Sequence, residues 1–350
     1  MPSSVKQLLQ RHSLRASAPC RVDAGGTWDI KAMALPLQGI EPVTLNIALS
    51  LRTRVALSAF REGWVRISSD GFRHDESYPF ASVPLHSPFG LFFAAVAHFG
   101  FHGLDLRIQS DSPVKAALGG SSTALVALIK ALSKLRGLLG QKPLSARQIL
   151  HLGYHLEDGV SLGACGIQDQ AAAAYGGVNL WRWRFGNTGT PYQRELLMDA
   201  RGQREMSEHF LLAYSGRSHV SLRTNRSWLK DFLSGQTRAG WIEVNEVVKV
   251  LAQALKEGAW DKAARLLREE MALRRKITPD ALIPITRKLV TQAEKLGCGA
   301  RFAGAGAGGS VWALGGLDRI ERLRRKWETT LKPLRGASLL PCHIESVGVR

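Results

Sequence analysis

A chain of 350 residues that is 45% hydrophobic and 22% charged has the composition of a globular protein with apolar material for two domains, and is neither a disordered nor a fibrous sequence. Its net charge of +18 suits nucleic acid, an anionic membrane surface or a polyanionic small molecule and chooses none of them. The four scattered cysteines show no C-x-x-C or zinc spacing, which argues against a disulfide framework or a zinc knuckle.

Along the chain, the first 22 residues carry no acid and no continuous apolar secretory run, so a cytoplasmic location is expected. Residues 18–67 alternate β-rich runs with turn signals and predict an early sheet, followed by a polar loop at 68–79. The nearly apolar run 88–101 is too short to span a bilayer and reads as a buried helix, so no membrane association is expected. Helical patterns follow at about 122–138, 145–158 and 167–175. "GGVNLWRWRF" is strand-like, and the turn-forming "GNTGTP" after it places a domain boundary near residue 190, dividing 1–190 from 191–350.

The second half opens on a strand, "HFLLAYSG", and continues through helices around 220–234, 240–257, 259–275 and 281–296 to the glycine-rich "GAGAGGSVWALGG". A last helix and a strand-like "CHIESVGV" close the chain. Acids interrupt the basic clusters "LREEMALRRK" and "RIERLRRKW" as on solvated helix faces, so a dedicated nucleic-acid surface is not expected. The class is mixed α/β without internal repeats.

Chemistry concentrates in three places. In "KAALGGSSTALVALIKAL", Ser121 and Ser122 are good N-cap residues, and Leu125, Leu128, Leu132 and Leu135 follow at helical spacing. Gly119 and Gly120 let backbone approach a ligand, so an anion such as phosphate would be stabilised at this helix start. Taken by itself, the cluster also fits a plain capped helix after a glycine turn. The second place is "GIQDQAAAAYGG", where Asp169 sits among small residues and serves either function or a structural ion pair; Glu157 upstream reads equally well as a helix-surface acid.

The third is the turn containing Gly304, Gly306 and Gly309. It satisfies G-x-G-x-x-G but leads into β-like "SVWAL" rather than a helix, which argues against a dinucleotide fold. No G-x-x-x-x-G-K-[ST] occurs, which removes the P-loop scheme.

The order of these elements resembles the GHMP kinase superfamily of galactokinase, homoserine kinase, mevalonate kinase and phosphomevalonate kinase. "APCRVDAGGTWDI" is similar to its first motif, "PVKAALGGSSTALVALIKAL" to its phosphate loop and helix, and "GARFAGAGAGGSVWAL" to its third motif. The first motif and "CGIQDQAAAAYGGVNLW" most resemble fucokinases and D-glycero-D-manno-heptose 7-phosphate kinases.

The resemblance implies an α+β, two-domain GHMP kinase fold, with an N-terminal ribosomal protein S5 domain 2-like domain and a C-terminal ferredoxin-like domain. It implies ATP and Mg2+ as cofactors and transfer of the γ-phosphoryl group to a sugar or sugar phosphate, giving a sugar 1-phosphate, by a monomer or homodimer. A mevalonate- or homoserine-type alcohol is the alternative acceptor, and a non-catalytic relative the alternative class.

By the same resemblance, Lys115, Leu118, Gly119, Gly120, Ser121, Ser122 and Thr123 would bind ATP, and Ser122 with Glu157 would hold the metal. Asp169 would face the acceptor hydroxyl and Arg21 would steady the transferring group. Asp29 would meet sugar hydroxyls, and Gly304, Ala305, Gly306 and Gly308 would bring backbone to the substrate. Lys115, Ala117 and Ala307 stand where the family favours glycine, and Arg301 where many members have lysine.

Overall fold

The computed structural model describes residues 5–218 and 221–350. A short helix α1 (Val5–Arg11) leads into two long antiparallel strands, β1 (Leu14–Ala24) and β2 (Val43–Ala59), joined through the brief helix α2 (Lys31–Ala34). Strands β3 (Trp64–Ser69), β4 (Glu76–Pro79), β5 (Leu104–Ser110), β6 (Val178–Trp183) and β7 (Tyr192–Leu196) complete a seven-stranded sheet of order β4-β3-β5-β2-β6-β7, with β1 also pairing to β2.

The length of β2 makes this branching possible. Its residues 43–47 pair with β6 and 53–59 with β5 on one side, while β1 runs along the other. All pairs are antiparallel except β3 with β5.

Helices α3 (Gly90–Phe99), α4 (Gly120–Leu138), α5 (Ala146–Val160) and α6 (Gln168–Tyr175) belong to this half. The leucine stripe expected on α4 is fully buried at Leu125, Leu128, Leu132 and Leu135, each worth about 2 kcal/mol of apolar transfer. α5 starts at a Ser145–Gln148 capping box, with the Gln148 amide donating to Ser145 Oγ at 3.4 Å, a start signal of purely local origin.

The expected division near residue 190 falls inside the β6–β7 hairpin, and the first sheet continues to Leu196, paired with Asn179. "GNTGTP" is turn chemistry for a hairpin rather than for a linker. After α7 (Ala200–Glu208) comes a second, antiparallel sheet of β8 (Phe210–Tyr214), β9 (Gly299–Phe302), β10 (Ser310–Leu314) and β11 (Ser338–Leu339), in the order β11-β8-β10-β9. Its helices are α8 (Ser221–Leu233), α9 (Arg238–Lys256), α10 (Trp260–Ile277), α11 (Pro284–Lys295) and α12 (Leu317–Leu331).

On α9, Trp241, Val244, Val248, Leu251 and Leu255 recur at helical spacing and are buried. Asn245, on the same face, accepts from the Val43 amide of β2 at 2.8 Å and so ties the two halves together. No helix among the described residues is long and apolar enough to cross a membrane.

The strand expected at "CHIESVGV" is reduced to one bridge, Leu49 to Ile344. On the edge of β2 away from β1, β6 pairs only as far as Ile47 and β5 only from Thr53. The tail docks in that gap, with the Ser50 amide donating to His343 O and the Glu345 amide to Ala48 O, both at 2.9 Å. On the β1 side the register jumps between Pro19 and Cys20, from Arg52 to Leu49; such an irregularity re-aims the side chains that follow it, and Arg21 comes next but one after Pro19.

Candidate active site

The start of α4 differs from the sequence expectation in a consequential way. Ser121 and Ser122 do not cap it: the N-cap residue is Gly119, left-handed at φ +74°, and no side chain accepts the first-turn amides. Those donors are thus left for a ligand, at the positive end of the helix dipole. Ser122 stands instead near Glu157 of α5, whose carboxyl it helps to hold down. Thr123, expected to touch ATP, is fully buried and donates to Gly119 O at 2.8 Å, so it braces the loop from behind.

Ahead of Gly119 the backbone turns left-handed at two non-glycine residues, Lys115 (φ +56°) and Ala117 (φ +64°), at a cost of about 1–2 kcal/mol each. Contacts from both sides over-determine the strained loop. Arg21 donates to Ala117 O through Nη1 at 2.7 Å and to Leu118 O through its amide at 3.1 Å. On the other side, a side chain at Gly309 would run into Ala117 Cβ and Ala116 O. Lys115 itself is exposed.

One turn of α6 then assigns three consecutive side chains to three partners. Gln168 Nε2 donates to Asp29 Oδ1 at 3.2 Å, Asp169 Oδ1 accepts from Arg21 Nε at 2.7 Å, and Gln170 Nε2 donates to Glu157 Oε2 at 2.6 Å. Asp169 also approaches the phosphate-type loop, since a Cβ on Gly119 would stand 3.2 Å from its Oδ2. The acid lies in the first turn of its helix, where the dipole favours negative charge.

Asp29, expected to meet sugar hydroxyls, is engaged within the protein by Gln168. It is 2% exposed, and besides the Gln168 side chain its Oδ2 accepts the Gln168 amide at 3.0 Å, capping α6 from a distant segment. Gly166 makes room for it, because any side chain there would collide with the carboxylate. Asp29 therefore positions Asp169 through the helix start.

The third glycine-rich turn divides in the same way. Gly304 reaches Asp23 and Arg21: its amide donates to Asp23 Oδ1 at 2.7 Å, and a Cβ there would stand 3.4 Å from Arg21 Nη2. Gly306 and Gly308 are instead packed against Ala281 O and Ser218 O, and Ala305 is buried.

Beneath the turn, Arg301 pairs with Asp23 Oδ2 at 3.1 Å and Glu270 Oε1 at 3.0 Å, all three side chains lying out of solvent. The sequence alone assigns no site role to Asp23, Gln168, Gln170 or Glu270, and marks Arg301 only as a departure from lysine. A signal existed for Asp23, which shares a strand face with Arg21 two residues away, but nothing in the sequence links Glu270 to Arg301.

Burial, reinforced by the Asp169 charge, pushes the Glu157 carboxyl up to about 7 against its hydrogen bonds from Ser122 and Gln170. Burial likewise raises Asp29 to about 7, with the Gln168 amide opposing and Asp169 and Asp23 adding to the rise. For Arg21, burial would weaken proton binding, but the charges of Asp169 and Asp23 override it and hold the guanidinium above its usual range.

A hydroxyl and a carboxylate, Ser122 and Glu157, stand beside uncapped helix amides. These hard oxygen donors next to a phosphate-type cradle fit Mg2+ bound together with a nucleotide. A half-buried carboxylate held by a guanidinium, Asp169 with Arg21, is suited to orienting a hydroxyl and taking its proton.

Residues 90–177 match the family model described as GHMP kinases N terminal domain, and residues 251–332 that of GHMP kinases C terminal. A mevalonate kinase from Pyrococcus horikoshii is 28% identical over 255 residues, spanning 64% of this chain and 68% of that protein.

Among solved structures, a D-glycero-D-manno-heptose 1-phosphate kinase from Bacteriodes thetaiotaomicron aligns with TM-score 0.69 and 20% identity over 96% of this chain and 98% of its own. The galactokinase of Lactococcus lactis aligns with TM-score 0.71 and 16% identity over 97% and 95%. At these identities the structural likenesses establish the fold.

Proposed function

The chain belongs to the GHMP kinase superfamily and has its two-domain α+β fold, and from that premise we propose that it is an ATP-dependent kinase of a sugar or sugar phosphate, acting on the anomeric hydroxyl. The observation that carries this reading is the Arg21–Asp169 contact of 2.7 Å set against the uncapped start of α4.

In this reading, the amides of Gly120, Ser121 and Ser122 receive the ATP phosphates. Ser122 and Glu157 would hold Mg2+, which would supply charge neutralisation at the phosphates. Asp169 orients the acceptor hydroxyl and accepts its proton, while Arg21 keeps a fixed positive charge between the loop and that carboxylate. Positioning and electrostatics account for the rate, because phosphoryl transfer asks little covalent chemistry of the protein. A cytoplasmic pool of Mg·ATP is the setting that suits such an enzyme. Likeness to sugar kinases and the Q-D-Q segment support the sugar class, whereas the mevalonate kinase relative favours a non-sugar alcohol as the second reading.

ADP release with Mg2+ and ATP, measured across fucose, galactose, heptose 7-phosphate, mevalonate and homoserine, tests the proposal. Turnover is expected with a sugar or sugar phosphate; turnover with mevalonate or homoserine alone overturns the sugar class. In the same assay Asp169→Asn is expected to lower kcat by about 10²-fold or more while nucleotide affinity stays within a few-fold. Near-wild-type turnover would remove Asp169 from the mechanism.

A further inference from the structure

Arg274 on α10 is 0% exposed, and its guanidinium has no carboxylate of its own. It is enclosed by aromatic faces, with the centroids of Trp241, Trp228 and Phe302 at 4.2, 4.5 and 5.3 Å from Cζ. Only Nε makes a hydrogen bond, to Thr278 Oγ1 at 3.3 Å. Nη1 and Nη2 have no hydrogen-bond partner among the described residues, and neither do the indole nitrogens of Trp28 and Trp241.

These residues form one cluster. The Trp28 and Trp241 rings are 6.5 Å apart, and Gly26, left-handed at φ +73°, lies so close to Arg274 Nη1 and Trp241 that any side chain there would collide with both. Every unpartnered atom in the cluster is a donor.

Stacking offsets part of the cost of burying this charge, at about 1–2 kcal/mol per desolvated cation–π contact, but supplies no acceptor. The nearby carboxylates, Asp23 and Glu270, are already engaged by Arg301. Burial, and after it the like charge of Arg301, lower the Arg274 guanidinium to about 9, as expected for a cation without a counter-ion. A donor-only cluster of this kind is complementary to an oxyanion. The segment carrying Gly26 and Trp28 continues directly into Asp29, which fixes the helix of Asp169, so an anion here and a hydroxyl at Asp169 would belong to one molecule.

We propose that Arg274, with the indole N–H groups of Trp28 and Trp241, reads an oxyanion borne by the acceptor, either a phosphate monoester or a carboxylate, so that the preferred substrate is an anionic sugar rather than a neutral one. This rests on the kinase reading of Asp169. Trp228 on α8 covers the guanidinium, and ligand entry displaces it, which makes tryptophan fluorescence a readout independent of turnover.

The test is a fluorescence titration of the full chain with mannose 6-phosphate, glucuronate and mannose at constant ionic strength, with saturating Mg·ADP keeping the nucleotide site filled. Wild type is expected to saturate with one of the two anionic sugars at a concentration at least about tenfold below that for mannose; which anion wins distinguishes phosphate from carboxylate. Arg274→Met is expected to abolish that preference, and Arg274→Lys, which keeps the charge but loses the fork, to weaken it by about threefold or more. Should Arg274→Met fail to fold, the lysine variant decides.

Equal responses to anionic and neutral sugars in wild type, or an unchanged preference in the folded variants, overturn the proposal. Absence of turnover with every acceptor, alongside an Arg274-dependent anion preference, would count against the kinase reading and leave the anion site standing.

Discussion

Asp29 shows how far a residue's role depends on its partners. Its sequence context, next to the first-motif glycines, suggests contact with substrate, yet both oxygens are spent on Gln168 and its carboxyl is raised from 3.8 to about 7 by burial. The native chain therefore holds this proton across a window in which the unfolded chain has already released it. By linkage, the contribution of Asp29 to stability is full below about pH 4 and is lost as pH rises through about 7. Asp29→Asn, which cannot titrate, is expected to flatten the stability–pH curve across that window in urea unfolding. A slope equal to that of wild type would show that Asp29 is not its source.

The turns before α4 and after β9 adopt left-handed geometry without the residue that adopts it most easily. Lys115, Ala117 and Ala307 all have φ between +56° and +64°, at the positions where the sequence departs from glycine. The backbone path is thus imposed by what surrounds the turns, Arg21 on one side and Gly309 on the other.

Opposite outcomes follow for two substitutions at one contact. Ala117→Gly relieves about 1–2 kcal/mol of strain and loses about 0.4–1 kcal/mol through the unfolded chain, so a net gain of up to about 1.6 kcal/mol is expected. Gly309→Ala, at φ +71° with its Cβ 2.6 Å from Ala117 Cβ and 2.8 Å from Ala116 O, is expected to destabilise by about 2 kcal/mol or more and to weaken Mg·ATP binding by shifting the loop. Thermal unfolding and nucleotide titration of both variants check the signs; stabilisation by Gly309→Ala would refute the packing argument.

At the scale of the whole molecule, the last residues close the structure. Arg52 is nearly fully buried and donates to Val347 O at 3.0 Å, Gly348 O at 2.7 Å, Ser17 O at 3.0 Å and the Glu345 carboxylate at 3.0 Å. One guanidinium thereby fastens the tail to β1 and β2, as Arg301 fastens Asp23 of β1 to Glu270 of α10. Arg52→Met leaves several carbonyls and one carboxylate without their donor, and is expected to cost about 3–5 kcal/mol. Urea unfolding followed by both tryptophan fluorescence and circular dichroism measures it; a loss under about 1 kcal/mol would mean that the tail contributes little to the fold.

Much of this was legible from residue order alone. The stripe Leu125, Leu128, Leu132 and Leu135, the glycine-rich turns and the Q-D-Q segment specify their elements through spacing and turn chemistry, which act over a few residues. Their order along the chain carried the family, and with it the two-domain fold.

Tertiary structure decided the pairings. Which oxygen Gln168 would meet, which strand would receive the tail, and that Glu270 rather than solvent would answer Arg301 depend on segments brought together from far apart, 148 residues for Arg21 with Asp169 and 139 for Gln168 with Asp29. The serines at the α4 start make the same point: local propensity offered them as caps, and in the folded chain the left-handed Gly119 takes the N-cap position without a capping side chain, while Ser122 comes to stand near Glu157 from another helix. A charge or hydroxyl takes its role from its nearest partners once water is excluded, and those neighbours exist only after the sheet and helices have packed.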